Sequence, residues 1–328
     1  MRIPMTGVTA CATPALLLFM FWQFAGDGWA QAYPSKVVRM IVPFTPGSGV
    51  DTAARIVAAG LTEVFGQQVI VDNRGGAAGN IGLEIAMRAP ADGYTLVIVN
   101  SGHASNASLY RNLPYDLVRD FSPVTQLVAS PNLVLVHPSL PAKSINDLVK
   151  LAKARPGAIN YSSAGTGTPT FLAVELLKAL AGIDMVHVPY RGGGEALTAV
   201  IAGEVSVYFG PFSSSLPHVE KGRLRALAVT SARRVPLLPT LPTITESVRG
   251  YELQVWYGMM VPVKTPQEII AMINAAAVTA LNRPDVSKRL ADFGFITVGN
   301  QPAEFGAYIK AEIEKLGKII RKLNLTAN

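Results

Sequence analysis

Two glycine-rich loops, each placed between an apolar strand-like run and a helix-like segment, constrain the fold of this sequence more than any other feature. The first lies in VVRMIVPFTPGSGVDTAARIV (residues 37–57) and the second in INYSSAGTGTPTFLAVELL (residues 159–177). A strand, a tight turn and a helix in this order predict an α/β unit whose loop ends at a helix N-terminus. The first N–H groups of a helix lack intrahelical acceptors and the helix dipole is positive there, so each loop is a candidate anion site.

The length and the hydrophobic pattern predict two α/β domains. The chain has 328 residues, of which 49% are hydrophobic, and this exceeds what a single core usually organises. From Lys36 onward, short apolar runs alternate with longer segments of helical period. Such alternation predicts crossover connections and therefore largely parallel sheets.

Residues 1–32 have the pattern of a removable export signal. Arg2 precedes the apolar run LLLFMFW (residues 16–22), and Ala30-Gln31-Ala32 follows it as a cleavage motif. Residues 26–28 interrupt the run before it reaches the roughly 18 residues that a membrane span needs. The only cysteine, Cys11, precedes the apolar core, which argues against lipidation, and cleavage leaves none in the mature chain. We therefore expect a periplasmic protein without disulfides.

Motifs of catalysis, metal binding and nucleotide binding do not occur in this sequence. The four histidines are far apart and form no zinc pattern, and neither a G-x-S-x-G elbow nor a phosphate-binding P-loop is present. The net charge of +7 comes without a long basic run, so we expect no nucleic-acid partner. The sequence predicts a binding protein without cofactor or metal; an exported hydrolase with a Ser/His set assembled by folding stays open as an alternative.

The order of predicted elements indicates a discontinuous first domain. A Pro-rich stretch at residues 235–247 is followed by helical segments with little sheet of their own, at 265–281, 284–293 and 302–323. Since these helices need a surface to cover, we expect one domain of residues 33–131 plus 232–328 and an inserted domain of residues 132–231. Two crossings of this kind form a hinge, and ligands of open α/β sheets bind at the carboxyl ends of strands, where both loops lie.

The candidate binding residues are those that shape the two loops or end a neighbouring strand. Glycines allow a ligand to approach the main chain closely, and hydroxyl groups donate to carboxylate oxygens. Asp51, in the first turn of a helix, either stabilises that helix or holds ligand or water. His103 follows a predicted strand end and either borders the cleft or packs and caps locally. The loop candidates are Phe44, Thr45, Pro46, Gly47, Ser48, Ser162, Ser163, Gly165, Thr166, Gly167 and Thr168.

Several motifs together identify a resemblance. VPFTPGSGVD, VDNRGGAAGNIG, ADGYTL, INYSSAGTGTPTFLA, HVPYRGGGEALTAVIAGEV and GRLRALAVTSARR resemble, in this order, the Bug (TctC-like) family of extracytoplasmic solute receptors. The resemblance covers essentially the whole mature chain. It implies a periplasmic-binding-protein-like fold (type II) whose two α/β domains close around a small carboxylate, aliphatic or aromatic. It also implies a monomer that performs no catalysis and delivers its ligand to membrane subunits of a tripartite tricarboxylate transporter, with a sensory adaptor as the alternative.

The resemblance also implies which residues line the cleft. In the family, main-chain and hydroxyl groups of two loops hold the carboxylate with ordered waters, and these loops correspond to residues 44–48 with Asp51 and to residues 162–168. Three positions depart from the family pattern: Ser48 replaces a glycine, Phe171 a histidine and Gly210 an aspartate that helps to select the distal part of the ligand. The missing aspartate predicts a ligand with a less polar or aromatic remainder. Further cleft positions implied are Ser101, His103, Ala104, Tyr190 and Gly210.

Overall fold

The computed structural model describes residues 1–5, 7, 33–322 and 324–326. The apolar run and the cleavage motif of the predicted signal peptide lie outside the described residues. Across the part of the chain that is described, no helix is both long enough and apolar enough to span a membrane.

Strands and helices alternate along most of the chain. The strands are β1 (Val38–Val42), β2 (Val69–Asn73), β3 (Thr95–Asn100), β4 (Phe121–Ser130), β5 (Asn132–Val136), β6 (Asn160–Ser163), β7 (Val186–Pro189), β8 (Val207–Pro211), β9 (Arg225–Val229), β10 (Val255–Pro262) and β11 (Ile296–Thr297). The α-helices are α1 (Gly49–Phe65), α2 (Asn80–Met87), α3 (Ser101–Leu109), α4 (Ile145–Ala154), α5 (Pro169–Ala181), α6 (Gly193–Ile201), α7 (Phe212–Glu220), α8 (Gln267–Asn282), α9 (Pro284–Asp292) and α10 (Pro302–Lys322).

The strands form two separate sheets. The first has the order β11-β4-β10-β3-β1-β2, and the second has the order β7-β6-β8-β5-β9. β1 pairs in parallel with β2 and β3, and β6 pairs in parallel with β7 and β8, as expected for βαβ units. The other pairs are antiparallel, because β10 inserts between β3 and β4, β11 pairs with β4, and β5 lies between β8 and β9. The prediction of largely parallel sheets is therefore wrong, and both sheets are mixed. We call the first sheet with its helices the large lobe and the second sheet with its helices the small lobe.

The C-terminal part of the chain packs on the large lobe. β10 lies between β3 and β4, and its Trp256 donates a 3.0 Å hydrogen bond from Nε1 to the buried Glu312 of α10. On α8, the Asn274 amide donates to the carbonyl oxygens of Val124 and Asn300. Covering the sheet in this way buries both of its faces, which explains why the central strand β3 is buried at every position. The domain boundaries given above stay predictions.

The two connections between the lobes lie side by side. Pro131 alone separates β4 of the large lobe from β5 of the small lobe, and residues 230–254 lead back from β9 to β10. The Asn132 N–H donates to Thr230 Oγ1 at 2.8 Å, and the Thr230 N–H donates to the Asn132 carbonyl at 3.0 Å. These bonds tie the two crossings to each other.

Candidate functional site

The first glycine loop is fixed from behind by Asp51. Its carboxylate accepts hydrogen bonds from the Gly47 N–H at 2.9 Å, from the Asn73 amide at 2.8 Å and from Arg55 Nε at 3.0 Å. Asp51 is 3% exposed, and these three bonds direct its carboxylate into the protein. Ser48 Oγ caps α1 by accepting from the Asp51 N–H. Thus Gly47 has no N–H left for a ligand, whereas the N–H groups of the first helical residues lack intrahelical acceptors.

Three hydroxyl groups of the second loop, those of Ser162, Ser163 and Thr168, also bond within the protein. Thr168 Oγ1 donates to the Gly165 carbonyl at 2.7 Å, and Ser162 Oγ donates to the Ala196 carbonyl at 2.9 Å. Gly165 and Gly167 have φ values of 110° and 87°, which only glycine adopts readily. These hydroxyls therefore hold the loop in shape, and the groups it offers to the cleft are mainly those of the main chain.

Ser163 and His187 form the one serine–histidine contact in this loop. Ser163 Oγ and His187 Nε2 share a 2.6 Å hydrogen bond, and Ser163 Oγ also accepts from the Gly165 N–H. His187 stacks on Tyr161 and contacts Phe171, and burial lowers the pKa of His187 to about 4. Ser163 is fully buried and is absent from the described lining of the spaces between the lobes. The contact stabilises the loop and does not support a hydrolase.

The two loops face each other, and the lobes touch around them. Ser105 of α3 donates from Oγ to the Gly167 carbonyl at 3.1 Å. Across the same cleft, a Cβ atom on Gly192 would overlap the side chain of Thr45. The structure is therefore a closed form, in which both glycine loops border the space between the lobes.

An inner cavity of about 50 Å³ lies between the lobes. Residues from the N-termini of four helices line it: α1 contributes Gly49, α5 Thr168, α6 Gly193 and α7 Pro211. The residues preceding α5, α6 and α7 provide no side-chain cap in the structure. None of the described residues that line this cavity is Lys, Arg, His, Asp or Glu. The groups at this cavity that favour an anion are therefore the helix N-termini and their main-chain N–H groups.

A wider outer cleft of about 930 Å³ leads to the inner cavity. Phe44 and Ala164 line both spaces, so the two spaces are adjacent. Arg191, whose side chain is exposed, is the only basic residue among the described residues that line the outer cleft.

The structure places the predicted binding residues in two groups. Those that line the inner cavity or the outer cleft are Phe44, Thr45, Pro46, Ser48, Gly165, Thr166, Thr168 and Tyr190. Those that line neither space are Gly47, Asp51, Ser101, His103, Ala104, Ser162, Ser163, Gly167 and Gly210.

Two residues of the second group have clear packing roles. His103 is fully buried, and its Nδ1 accepts from the Asn100 N–H in a capping box of α3. Burial lowers the pKa of His103 to about 3. Gly210 lies under Tyr208, and a Cβ atom there would overlap the Tyr208 ring. Tyr208 thus occupies the space in which a side chain at position 210 would lie.

Sequence reasoning missed several residues that line the inner cavity. Asn100 and Asn132 lie at a strand end and a strand start, whereas Tyr208, Pro211 and Ser214 surround the start of α7. Tyr257 lines the cavity from β10. Their position in the sequence could have predicted some of these residues. Asn100, Pro211 and Ser214 end or follow predicted strands, as the glycine loops do, and ligands of α/β sheets bind at strand ends.

Two α/β lobes that are joined by paired crossings, with helix N-termini of both directed at one enclosed space, define a solute-binding receptor. A model of the tripartite tricarboxylate transporter family receptor, TctC, matches residues 53–325, and the chain belongs to this family.

Relatives and solved structures agree with this assignment. A protein in the tcbD-tcbE intergenic region of Pseudomonas sp. (strain P51) is 38% identical over 90% of this chain and 89% of its own. The structure of R. palustris Rpa4515 with adipate is 35% identical, with a TM-score of 0.87 over 90% of this chain and 99% of its own. The periplasmic binding protein BugD is 29% identical, with a TM-score of 0.86 over 90% of this chain and 100% of its own.

These comparisons confirm three predictions from the sequence. The resemblance to the Bug (TctC-like) family is confirmed by the family match, and the α/β periplasmic-binding-protein fold by the solved structures. Because the family is one of receptors, the prediction that the chain is not an enzyme is also confirmed.

Proposed function

We propose that this chain is a periplasmic receptor that captures a small carboxylate between its lobes and delivers it to the membrane subunits of a tripartite tricarboxylate transporter. The observation that carries the proposal is the convergence of four helix N-termini on an inner cavity without charged side chains. An anion is the ligand that such a cavity favours. The binding of adipate by the relative Rpa4515 supports a carboxylate.

The carboxylate is held where the two loops meet. Gly49 and Val50 provide main-chain N–H groups from the large lobe, and Ala164 and Thr170 line the same cavity from the small lobe. The Ala164 N–H already donates to Thr170 Oγ1 at 3.0 Å, so Thr170 is oriented by the loop itself. The start of α6, at Gly193 in the small lobe, has no side-chain cap and lines the same cavity as Gly49 of the large lobe. With helix N-termini of both lobes at one cavity, a bound anion stabilises the closed form over an open one.

Delivery to the transporter follows from export and closure together. Signal cleavage after residue 32 places the mature receptor, as a monomer, in the periplasm. The closed form with ligand presents a surface that differs from that of the open form, and membrane subunits of the transporter recognise this difference.

A thermal-shift screen of the mature protein tests the binding proposal. The protein, beginning at residue 33, is unfolded and refolded to remove any ligand retained from expression, and is then mixed with mono-, di- and tricarboxylates and aromatic acids. A ligand at about 100 times its dissociation constant adds roughly 2.7 kcal/mol to the free energy of unfolding. If amines or sugars stabilise the protein and no carboxylate does, the proposal is wrong.

An uptake assay tests delivery. Cells that lack the receptor gene are expected to lose high-affinity uptake of the identified carboxylate and to regain it with the wild-type gene. Unchanged uptake in the deletion strain, alongside tight binding by the purified protein, would contradict delivery while leaving capture intact.

A further inference from the structure

The side chain of Tyr257 lies in the wall of the inner cavity, next to the N-terminus of α1. Tyr257 is 5% exposed, and a Cβ atom on Gly49, the first residue of α1, would lie 2.8 Å from its hydroxyl. In the antiparallel pair of β10 and β3, Tyr257 lies directly opposite Asn100, which lines the same cavity. Residues directly opposite in such a pair project to the same face of the sheet, so the strand register and the contact with Gly49 agree on where the phenol points.

The Tyr257 hydroxyl forms no hydrogen bond with the residues that the structure describes. Two other buried tyrosines differ from it in this respect. Tyr208, which lines the cavity from the small lobe, donates to the Gly193 carbonyl at 3.4 Å, and Tyr115 of the large lobe donates to Asn80 Oδ1 at 2.7 Å. Because buried hydroxyls almost always have partners, an unbonded phenol at a cavity wall indicates a bond made to a bound molecule.

A phenol at this point is suited to donate and not to accept. Burial raises the pKa of Tyr257, so its hydroxyl keeps its proton at neutral pH. The main-chain groups beside it at the start of α1 are the N–H groups of Gly49 and Val50, which have no intrahelical acceptors. A ligand atom that satisfies these donors has to be an acceptor, and an O–H group donates most strongly to an ionised one.

The ring of Tyr257 is fixed by its own lobe. It packs edge to face against Phe295, with ring centroids 5.9 Å apart. Its main chain lies in β10, which is paired with β3 on one side and with β4 on the other. A donor that is already held in place loses little conformational freedom when a ligand binds, so more of the hydrogen-bond energy contributes to affinity.

We propose that Tyr257 donates a side-chain hydrogen bond to the carboxylate that is held at the start of α1. The inference rests on the proposed carboxylate capture and adds one side-chain donor to the main-chain N–H groups of the large lobe. Tyr257 thereby determines the affinity for the carboxylate group itself, whatever remainder the bound molecule carries.

Tyr257→Phe removes the hydroxyl and keeps the ring in its packing against Phe295. Butyrate, adipate, malate and benzoate are titrated into the mature wild-type protein by calorimetry, and the one that binds most tightly is the probe. We expect the variant to bind this probe about tenfold or more weakly, chiefly through faster dissociation. Since no bond within the protein is lost, the urea midpoint of the ligand-free variant should stay near that of wild type.

Tyr115→Phe is the matched control, because it removes the hydroxyl of another buried tyrosine of the same lobe. Tyr115 lines neither the inner cavity nor the outer cleft, and its hydroxyl is bonded to Asn80. This variant should have a lower urea midpoint and a dissociation constant within about twofold of wild type.

A near-ultraviolet difference spectrum on addition of the probe gives a readout that a structural role would not change. A phenol that donates to a carboxylate absorbs differently from one that donates to nothing. Wild type and Tyr115→Phe should show this tyrosine difference band, and Tyr257→Phe should lose most of it.

The outcomes separate this inference from the capture proposal. If Tyr257→Phe binds the probe within about twofold of wild type, the assignment of Tyr257 is wrong and carboxylate capture stands. If the variant binds weakly but also has the lowered urea midpoint of Tyr115→Phe and keeps the difference band, the hydroxyl is structural and the assignment is again wrong. If wild type binds none of the four probes and no carboxylate of the thermal-shift screen, both proposals fall.

Discussion

Gly49, the first residue of α1, lies directly against Pro211, the residue that precedes α7 in the other lobe. A Cβ atom on Gly49 would lie 2.8 Å from Pro211 Cβ and 2.8 Å from the Tyr257 hydroxyl. Both helix N-termini line the inner cavity, so this contact sets how closely the two sources of main-chain donors approach each other. A glycine is required at this point because Pro211 of the small lobe and Tyr257 of the large lobe both lie too close for a Cβ atom, and not because of backbone angles.

Gly49→Ala is therefore expected to disfavour the closed form. A methyl group that has no room costs about 1–3 kcal/mol in a packed site, which weakens ligand binding on the order of tenfold. Because Tyr257 belongs to the same lobe as Gly49, a smaller part of this cost is also expected in the free energy of unfolding of the ligand-free protein. Calorimetry with the best ligand of the screen and small-angle scattering measure the two effects.

Gly194→Ala is the matched control for this variant. Gly194 is exposed on α6, and nothing lies within 4 Å of the position of its Cβ atom. Equal affinities of the two alanine variants would show that the contact between Gly49 and Pro211 does not limit closure.

Asp51→Asn tests whether the first loop is held by a carboxylate behind it. Asp51 accepts from three donors while almost fully buried, and an amide replaces one of its acceptor oxygens with a donor. We expect a loss of about 1–3 kcal/mol in the free energy of unfolding, together with weaker binding. Asp147→Asn, in the first turn of α4 and away from the cleft, is the control. A variant at Asp51 with full stability but no binding would instead indicate direct contact with the ligand.

The sequence was informative where short-range patterns decide the structure. The strands, the two glycine loops and the helices that follow them are visible from periodicity and from residues such as Ser48 and Pro169. The same local patterns do not predict which residues far apart in the sequence come into contact. Three relationships were therefore not predictable from these signals. Asn132 lies opposite Pro211, Tyr208 occupies the space next to Gly210, and the Asp51 carboxylate points away from the cleft.

The histidine of the α3 capping box is expected to make stability depend on pH. Burial lowers the pKa of His103 from 6.5 to about 3, so the unfolded state binds a proton that the folded state does not. Stability is retained above pH 6.5 and is lost progressively as the pH falls towards 3. The contribution of this group is about 1.4 kcal/mol per pH unit within that window, or about 2 kcal/mol at pH 5 relative to pH 7.

His103→Gln removes this proton site and keeps an acceptor for the Asn100 N–H, as in ordinary capping boxes. Urea unfolding at about pH 7, 6 and 5 should show a smaller loss of stability for the variant than for wild type. Parallel pH profiles for the two proteins would show that His103 does not titrate in this range.

The packing of Tyr208 over Gly210 predicts a strong coupling between these positions. The methyl group of Gly210→Ala would overlap the fully buried Tyr208 ring. This steric overlap should lower the free energy of unfolding by about 1–3 kcal/mol. In a Tyr208→Ala background the same substitution should cost much less, because the ring is gone. Thermal and urea unfolding of the four proteins gives the coupling energy, expected to be about 1 kcal/mol or more. Additive effects would mean that another atom limits the space at Gly210.

A ligand held by main-chain dipoles should bind with little dependence on salt. The inner cavity has no cationic side chain among its described lining residues, and buried dipoles are screened much less than exposed charges. Raising NaCl from about 0.05 M to 0.5 M should therefore change the dissociation constant by less than about threefold.

Arg191, exposed at the outer cleft, is positioned to attract the anion from a distance. Arg191→Gln should therefore lower the association rate at low salt and leave the dissociation rate unchanged. Stopped-flow measurements at both salt concentrations separate the two rates. A dissociation rate that rises tenfold with salt, or with Arg191→Gln, would show that a side-chain cation and not the helix N-termini retains the ligand.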